Sequence, residues 1–365
     1  MNLKPLFPLL TALLLSSCQL WRVAPDTAAE LQLRLDSMAT VYTRHLPFDA
    51  GVAMAVVADG EAIAQVTRGT AVPMSDSAVH AQTLFPLASA SKMITAIAVM
   101  QAIESGQLRL DQPAAELVDS LPAAWQEITV EQLLNHQDGI ADGYRHPEMD
   151  AMEPSVRERI SRRKYLEFAA DLPPRFAPGA KTAYGQTGFV LLSMVLESVY
   201  GQPFEEMVES RIFGPAGMER TYFATWSTRI GAYVPAQYEA DGDSYRTVRL
   251  EYTYPDYATA AITSCLEDLI KLMQALHNRT LLSEASLERL WAGPFGGGDF
   301  SYGMERITHR GEVSTGHSGG WSVVLSYLHR PRMSVISISN ISDQKILRLG
   351  YHATYLTIRY AQEQP

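Results

Sequence analysis

Cysteine is scarce in this chain, which has only Cys18 and Cys265 among its 365 residues. Two cysteines so far apart offer neither a zinc-type Cys/His spacing nor a paired disulfide framework. Cys265 precedes an apolar-periodic segment, where we expect a small buried hydrophobic side chain and not a catalytic thiol. The sequence therefore predicts no metal site, and it implies no organic cofactor.

Positive charge is also in short supply. The chain carries 30 Lys and Arg against 40 Asp and Glu, a formal net charge of −10. The densest basic stretch, residues 159–164, is expected to be a solvated helix face. Because nucleic-acid-binding surfaces need clustered Lys and Arg, the composition disfavours a nucleic-acid partner. Internal repeats and low-complexity stretches are absent too, and the chain is long enough to bury a large core.

The start of the chain differs from the rest. Lys4 supplies a positive charge, and residues 9–15 form an apolar run interrupted only by Thr11. This run is too short to span a bilayer and is typical of the core of a signal peptide. We therefore assign residues 1–17 as a signal peptide.

Residues 15–18 read Leu-Ser-Ser-Cys, which resembles the bacterial lipobox. That resemblance implies lipidation of Cys18, with a tether over residues 18–30; the alternative is an ordinary signal peptide with a chance cysteine. Gln19, not Asp, follows the cysteine, as in the outer-membrane sorting pattern. We therefore expect a cell-envelope protein attached to a membrane by its lipid, on the periplasmic side of the outer membrane in a diderm organism.

Strand patterns occur near both ends of the mature chain. Residues 52–57 and 62–66 are apolar runs on either side of Asp59-Gly60, a strong hairpin signal. Residues 321–328 and 333–338 are rich in β-branched and apolar residues, and we expect them to form antiparallel strands.

Helical patterns dominate the middle of the chain. The predicted helices span residues 28–44, 91–105, 129–134, 161–170, 188–200, 204–212, 264–276 and 345–359. Thr129 and Gln132 have the spacing of a capping box. The order of elements predicts an α/β (α+β) fold: an antiparallel sheet built from both chain ends is flanked by helices, and a mostly helical region, about 93–295, is inserted between them.

Residues 83–92 read Thr-Leu-Phe-Pro-Leu-Ala-Ser-Ala-Ser-Lys and precede an apolar helix. A spacing of three places Ser89 and Lys92 on one helix face. A serine hydroxyl needs a neighbour that takes its proton, and a partly desolvated lysine can do this. At a first helical turn, the helix dipole and the N–H groups also face a developing oxyanion. Ser-x-x-Lys alone is weak evidence, because it occurs by chance in long proteins.

Two further segments have candidate functional residues. Residues 184–192 read Tyr-Gly-Gln-Thr-Gly-Phe-Val-Leu-Leu, and residues 316–322 read Gly-His-Ser-Gly-Gly-Trp-Ser. Taken singly, Tyr184 fits a core aromatic at a helix start, and His317 fits a turn. We expect His136 to be a structural residue on a helix. The aromatic residues that are candidates for lining a pocket are Tyr144, Tyr302 and Trp321.

Together, in this order and spacing, the three segments resemble the serine β-lactamase and penicillin-binding-protein superfamily. The resemblance is greatest to its class C-like branch, which includes D-alanyl-D-alanine carboxypeptidases, D-aminopeptidases and family VIII esterases. It covers residues from about 31 to 360 and implies a β-lactamase/transpeptidase-like domain over 31–365. Three secondary signatures support it: Ile-Thr-Val-Glu-Gln-Leu-Leu-Asn-His at 128–136, Ile-Phe-Gly-Pro-Ala-Gly-Met at 212–218 and Tyr-Gly-Met at 302–304.

The resemblance implies a role for each motif. Ser89 is the acylated nucleophile, Lys92 is its base partner, and Tyr184 shuttles the proton to the leaving group. His317 lines the site and helps to orient the carboxylate or carbonyl of the substrate. The backbone N–H groups of Ser89 and Gly320 form the oxyanion hole.

Two positions depart from the family pattern. Gln186 stands where many relatives have Asn, so its amide lies one methylene further out, and a misplacement of about 1 Å can cost about 10²-fold in rate. His317, which opens a His-x-Gly motif closed by Gly319, replaces the Lys of true β-lactamases and removes a fixed positive charge near neutral pH. Both departures favour an esterase or peptidase-like enzyme over a dedicated antibiotic-degrading one.

The sequence thus predicts a serine hydrolase of the cell envelope that cleaves a small-molecule ester or a peptide-like amide through an acyl-enzyme on Ser89. One alternative is a D-Ala-type peptidase or carboxypeptidase, or a weak β-lactamase, acting on peptidoglycan-like substrates. Another is a catalytically silent envelope binding protein that keeps the fold. The presence of Ser89, Lys92 and Tyr184 together argues against silence.

Overall fold

A computed structural model describes residues 24–44, 46, 49–72, 76–157, 159–224, 237–241, 244–248, 253–293, 298–309, 311–328 and 332–364. The predicted signal peptide and Cys18 lie outside these residues. Across the described ranges, no helix combines the length and the apolar character needed to cross a bilayer.

The strands are β1 Val52–Ala58, β2 Glu61–Arg68, β3 Leu84–Pro86, β4 Tyr222–Phe223, β5 Gln237–Asp241, β6 Ser244–Val248, β7 Ile262–Cys265, β8 Phe300–Ser301, β9 Met304–His309, β10 Glu312–Gly319, β11 Val323–Leu328, β12 Met333–Ser339 and β13 Ile341–Ser342.

The α-helices are α1 Ala28–Thr43, α2 Ser91–Glu104, α3 Val130–Leu134, α4 Pro147–Ala151, α5 Pro154–Arg157, α6 Arg162–Asp171, α7 Thr187–Tyr200, α8 Phe204–Val208, α9 Gly214–Ala216, α10 Leu266–His277, α11 Glu284–Ala292 and α12 Gln344–Gln362. A π-helical turn, Glu209–Phe213, joins α8 to α9.

The main sheet has seven strands in the order β2-β1-β12-β11-β10-β9-β8, and all its neighbouring strands are antiparallel. Two strands come from the beginning of the chain and five from its end, which confirms the predicted sheet. Nearly every residue of β1, β11 and β12 is buried, because helices cover both faces. This explains why these strands appear in the sequence as continuous apolar runs.

The helices that cover the two faces come from different parts of the chain. Leu35 of α1 and Leu349 of α12 pack with Met54 on one face of the sheet. Ala53 and Ala55, which point to the other face, belong to the larger core with α2, α7 and α10. This larger core places α2, and with it the Ser-x-x-Lys motif, directly against the sheet.

The inserted region is mostly helical, as predicted, but two details of the prediction were wrong. Ser264, predicted to start a helix, lies in β7 of a small sheet ordered β3-β7-β4; its hydroxyl is 2.7 Å from that of Thr221, and α10 begins only at Leu266. In the basic stretch 159–164, Arg162 is buried instead of solvated, because α6 packs on α7 and the guanidinium lies 2.5 Å from Glu197 Oε1.

Candidate active site

Ser89 lies in a short 3-10 turn, Ala88–Ala90, immediately before α2. It is partly exposed, whereas Ala88 and Ala90 are buried. Ala88 has a φ of 46°, in the left-handed region that non-glycine residues occupy at an energetic cost. The turn therefore leaves Ser89 accessible immediately before the start of α2.

Two strands hold this turn in place. On one side, the Leu87 N–H donates to the Ile262 carbonyl at 2.8 Å, and the Ile262 N–H donates to Ser91 Oγ at 3.2 Å. On the other side lies the end of β10, where a Cβ at Gly319 would stand 2.3 Å from the Leu87 carbonyl oxygen. At Gly320, by contrast, the position of a Cβ faces open space. Glycine at 319 therefore lets β10 approach the Ser89 turn.

Lys92 is the second residue of α2, and its side chain is completely buried. Its Nζ donates to the Tyr184 hydroxyl at 2.7 Å and to the Thr259 carbonyl at 3.1 Å. An ammonium group has three hydrogens to donate, so these two acceptors leave one hydrogen. Ser89 lies three residues earlier, the spacing of neighbours on a helix surface. Lys92 therefore links Tyr184 to the first turn of α2, which directly follows the Ser89 turn.

The Tyr184 segment reaches the site from a distant part of the chain. Arg175 Nη1 donates to the carbonyls of Ala183 and Tyr184 at 3.1 and 2.9 Å. The Ala183 N–H donates to the His136 carbonyl at 2.9 Å. Hydrogen bonds from two other loops thus hold the backbone that carries the Tyr184 hydroxyl.

The prediction that His136 lies on a helix was wrong. α3 ends at Leu134, and His136 follows with a φ of 52°. The chain turns here because the side chain of Asn135 accepts the Tyr302 N–H at 2.7 Å. The turn carries His136 into the site, where its ring centroid lies 4.8 Å from that of Tyr184.

The His136 imidazole is neutral. Burial lowers its pKa well below the usual value, and the positive charge of Lys92 lowers it further. Its Nδ1 accepts the Gly185 N–H at 3.4 Å, so the ring hydrogen is on Nε2. Sequence analysis missed this contact with Tyr184, although the signature at 128–136 ends at His136.

His317 is also buried and neutral. Its Nδ1 lies 2.6 Å from the Ser318 carbonyl oxygen, so Nδ1 has the hydrogen and Nε2 is an acceptor. Burial, reinforced by the charge of Lys92, lowers its pKa to about 3. The ring lies 6.1 Å from that of Tyr184. His317 therefore brings no positive charge to the site near neutral pH.

Gln186 occupies the N-cap position of α7, but its side chain makes no capping hydrogen bond. Its Oε1 is buried and has no hydrogen-bond partner within the described part of the chain. Gln186 borders a cavity of about 450 Å³ that is also lined by Tyr144, Asp256 and Thr259. Because the Thr259 carbonyl also accepts from Lys92, this cavity adjoins the Lys92–Tyr184 pair.

The three aromatic candidates lie in different places. Tyr144 lines this cavity, as expected. Tyr302 is buried, and its hydroxyl donates to Glu131 at 2.6 Å, whereas Trp321 packs against the large core. The aromatic residue that sequence analysis missed is Phe300, whose ring lies 5.0 Å from that of Tyr184. Its signal was its place just before the Tyr-Gly-Met signature.

The remaining thiol is inert. Cys265 is unpaired and completely buried, and burial raises its pKa to about 11. A buried thiol with so high a pKa is a poor nucleophile, which agrees with the predicted packing role. No cluster of three or more His, Cys, Asp or Glu side chains that could hold a metal occurs among the described residues.

Two curated proteins are similar to this chain in sequence. Penicillin-binding protein 4* of Bacillus subtilis (strain 168) is 27% identical over 304 residues, covering 75% of this chain and 65% of the relative. The D-aminopeptidase of Brucella anthropi is 26% identical over 328 residues, covering 83% of this chain and 59% of the relative. The chain thus spans somewhat less than two thirds of the length of these relatives.

Solved structures agree with the fold. The octameric penicillin-binding protein homologue from Pyrococcus abyssi superposes with a TM-score of 0.75 at 25% identity, covering 89% of this chain and 77% of that one. The family model described as Beta-lactamase matches residues 44–348, which include every site residue described above. The chain therefore belongs to the beta-lactamase family.

Proposed function

We propose that this protein is a serine hydrolase that cleaves an ester or amide through an acyl-enzyme on Ser89. The observation that carries the proposal is the 2.7 Å hydrogen bond from Lys92 Nζ to the Tyr184 hydroxyl, one helical turn from an accessible serine. A completely buried lysine is costly to a fold unless its charge is paired. Its burial beside a phenol and a serine supports a role in proton transfer.

The proposed reaction has two halves. Ser89 Oγ attacks the substrate carbonyl while its proton passes to the Lys92–Tyr184 pair, which reacts in the form that has lost one proton and can therefore accept one. The N–H groups of Ser89 and Gly320 stabilise the oxyanion. Tyr184 then delivers the proton to the departing alcohol or amine as the carbonyl–leaving-group bond breaks. In the second half, water gives a proton to the same pair and attacks the acyl carbon. The bond from the acyl carbon to Ser89 Oγ then breaks, Ser89 Oγ takes the proton back from the pair, and the acid leaves.

For the substrate we propose a small ester or a peptide-like amide. The neutral His317 supports a substrate whose carbonyl side needs no fixed positive charge beside it, and Gln186 supports relaxed recognition of the acyl amide. The alternative within the same chemistry is a D-Ala-type peptidase or carboxypeptidase, or a weak β-lactamase, on peptidoglycan-like substrates. The similarity to a D-aminopeptidase supports the amide branch.

The test is covalent labelling of the purified protein with a fluorophosphonate and, separately, with a fluorescent penicillin, followed by peptide mass spectrometry. We expect both adducts on Ser89 and none on the Ser89→Ala protein. Ser193→Ala is the matched control, because Ser193 is a buried serine in α7, away from the Ser89 turn, and it should keep the label. An adduct elsewhere, or labelled Ser89→Ala protein, would overturn the assignment; a folded wild type that takes neither probe would favour the silent binding protein.

We also propose that the mature protein is anchored in the cell envelope by a lipid on Cys18. The apolar run 9–15 and the Leu-Ser-Ser-Cys sequence at 15–18 support this. Wild-type protein expressed in a bacterium with labelled palmitate should take up the label, and Cys18→Ala should not and should leave the membrane fraction. An unlabelled wild type would contradict the proposal.

A further inference from the structure

One buried residue of the site has no part in the proposed acyl transfer. The His136 ring contacts Tyr184, Phe189 and Phe300, with centroid distances of 4.8, 5.0 and 5.3 Å. We propose that His136 is a positioning residue that holds Tyr184 so that its hydroxyl stays on Lys92. This inference rests on the proposed function, since it assigns His136 a task in the same reaction.

Three backbone hydrogen bonds join the two loops independently of the side chain at position 136. The carbonyls of residues 136, 137 and 139 accept N–H groups from residues 183, 179 and 175, at 2.9, 2.8 and 2.8 Å. These bonds do not depend on the side chain at position 136. The imidazole therefore adds contacts beyond these backbone bonds, and the shortest of its ring contacts is with Tyr184.

The imidazole restrains Tyr184 in two ways. Its ring lies against the Tyr184 ring at an interplanar angle of 48°, with Phe300 against both rings. Its Nδ1 accepts the Gly185 N–H and so fixes the peptide that follows Tyr184. A ring contact and a backbone contact on adjacent residues together limit both the side-chain and the main-chain torsions of Tyr184.

The neutral form of His136 suits this task. Burial lowers the pKa of His136, and the charges of Lys92 and Arg175 lower it further, while the neighbouring His317 is itself neutral. A cationic ring against Tyr184 would add a second positive charge to the site beside Lys92. A neutral ring holds Tyr184 without adding charge to the proton-transfer pair.

The experiment compares two variants that each keep half of the restraint. His136→Phe keeps a ring but loses the acceptor for the Gly185 N–H. His136→Asn keeps an acceptor and tolerates the positive φ, but it loses the ring. The matched control is His277, another completely buried histidine, whose ring lies 5.2 Å from that of Tyr327; it is changed in the same two ways.

The readout is KM and kcat for a p-nitrophenyl ester. The maximal rate is divided by the number of sites that a fluorophosphonate has labelled once labelling is complete. Counting labelled sites removes any loss of folded protein from the comparison. We expect kcat per site to fall about tenfold or more in both His136 variants, with KM within about threefold, because small misplacements of a reacting group act on kcat. The His277 variants should keep kcat per site.

Unchanged kcat per site in both His136 variants would overturn the proposal and leave the proposed function intact. An unlabelled wild type would instead defeat the proposed function. Should neither variant fold, ¹⁵N NMR of the wild-type imidazoles decides: His136 must be neutral near pH 7, with its hydrogen on Nε2. A cationic ring, or a hydrogen on Nδ1, would contradict its contact with the Gly185 N–H and overturn the inference.

Discussion

The Ser89 turn and the Tyr184 segment supply the two halves of the proposed site, and they are built differently. The Ser89 turn is short, continues directly into α2 and lies between β7 and β10 of two different sheets. The Tyr184 segment has no regular structure of its own before α7. Hydrogen bonds from Arg175 and His136 and the contact with Phe300 hold it in place.

This difference separates what a local sequence can encode from what only the tertiary fold provides. Ser89 and Lys92 are three residues apart, so their juxtaposition follows from helix geometry. Tyr184 meets Lys92 across 92 positions of sequence, and its restraints come from further separate segments. We therefore expect substitutions near Ser89 to act through close packing, and those near Tyr184 through hydrogen bonds and charge.

The largest expected effect joins the two halves. Lys92→Ala should lower kcat/KM for an activated ester by about 10³-fold or more, and Tyr184→Phe by about 10²-fold, within the range for general acid–base groups. Residues that act as one unit are strongly non-additive. Adding Tyr184→Phe to Ser89→Ala should therefore change the residual rate almost not at all. Ester kinetics on the single and double variants check this, and an additive loss would mean that Tyr184 acts independently of Ser89.

How far the sequence predicts the molecule follows the same division. The Asp59-Gly60 hairpin, the Thr129–Gln132 capping box and the start of α2 are encoded by neighbouring residues, and the structure has all three. The contacts that His136 and Phe300 make depend on other segments of the chain, and no local periodicity encodes these contacts. For both residues the available signal was proximity to a family signature, which marks a position without giving its contacts.

The second prediction tests the packing of the Ser89 half. In Gly319→Ala the new Cβ would meet the Leu87 carbonyl oxygen at 2.3 Å, and backbone atoms held by two sheets cannot move aside cheaply. We expect a loss of about 1–3 kcal/mol in the free energy of unfolding and a fall of about 10²-fold in kcat as the turn shifts.

Thermal melts and ester kinetics check the Gly319 prediction. Gly320→Ala is the control for stability alone, because its Cβ would enter open space, and its melting temperature should stay close to that of the wild type. Equal melting temperatures for the two variants would show that β10 does not clamp the turn.

The third prediction concerns the carboxyl group of Asp138, which lies in the loop that pairs with the segment before Tyr184. Asp138 is buried, its Oδ1 accepts the Ile140 N–H at 2.8 Å, and burial raises the pKa of its carboxyl from 3.8 to about 6. Since the folded state holds this proton more tightly, its contribution to stability is complete below about pH 4 and is lost as the pH rises through 6. That shift corresponds to about 3 kcal/mol at most.

Asp138→Asn keeps the acceptor and removes the titration. Its free energy of unfolding, relative to the wild type, should therefore be higher at pH 7.5 than at pH 4.5 by about 2 kcal/mol. Denaturant melts at the two pH values measure this difference. The same relative stability at both values would mean that Asp138 does not titrate in this range.

The smallest expected effect is one of selectivity, at the junction of the Tyr184 segment with α7. The Gln186 amide oxygen is buried and lacks a partner within the described residues, so the side chain is free to serve a substrate but is one methylene longer than the Asn of many relatives. The shorter side chain in Gln186→Asn should place its amide better for a substrate that has an acyl-amide group. An ester without such a group should be unaffected. A hydrogen bond is worth about 1 kcal/mol net, so kcat/KM for a β-lactam should rise about fivefold over that for a short p-nitrophenyl ester.

Gln137→Asn is the control for the Gln-to-Asn change itself, because Gln137 lies on the neighbouring loop and donates to Thr182 at 3.3 Å. It should leave the ratio of kcat/KM for the two substrates unchanged. Equal gains on both substrates, or a loss on the lactam alone, would show that Gln186 does not set the preference for esters, which would then rest on the neutral His317.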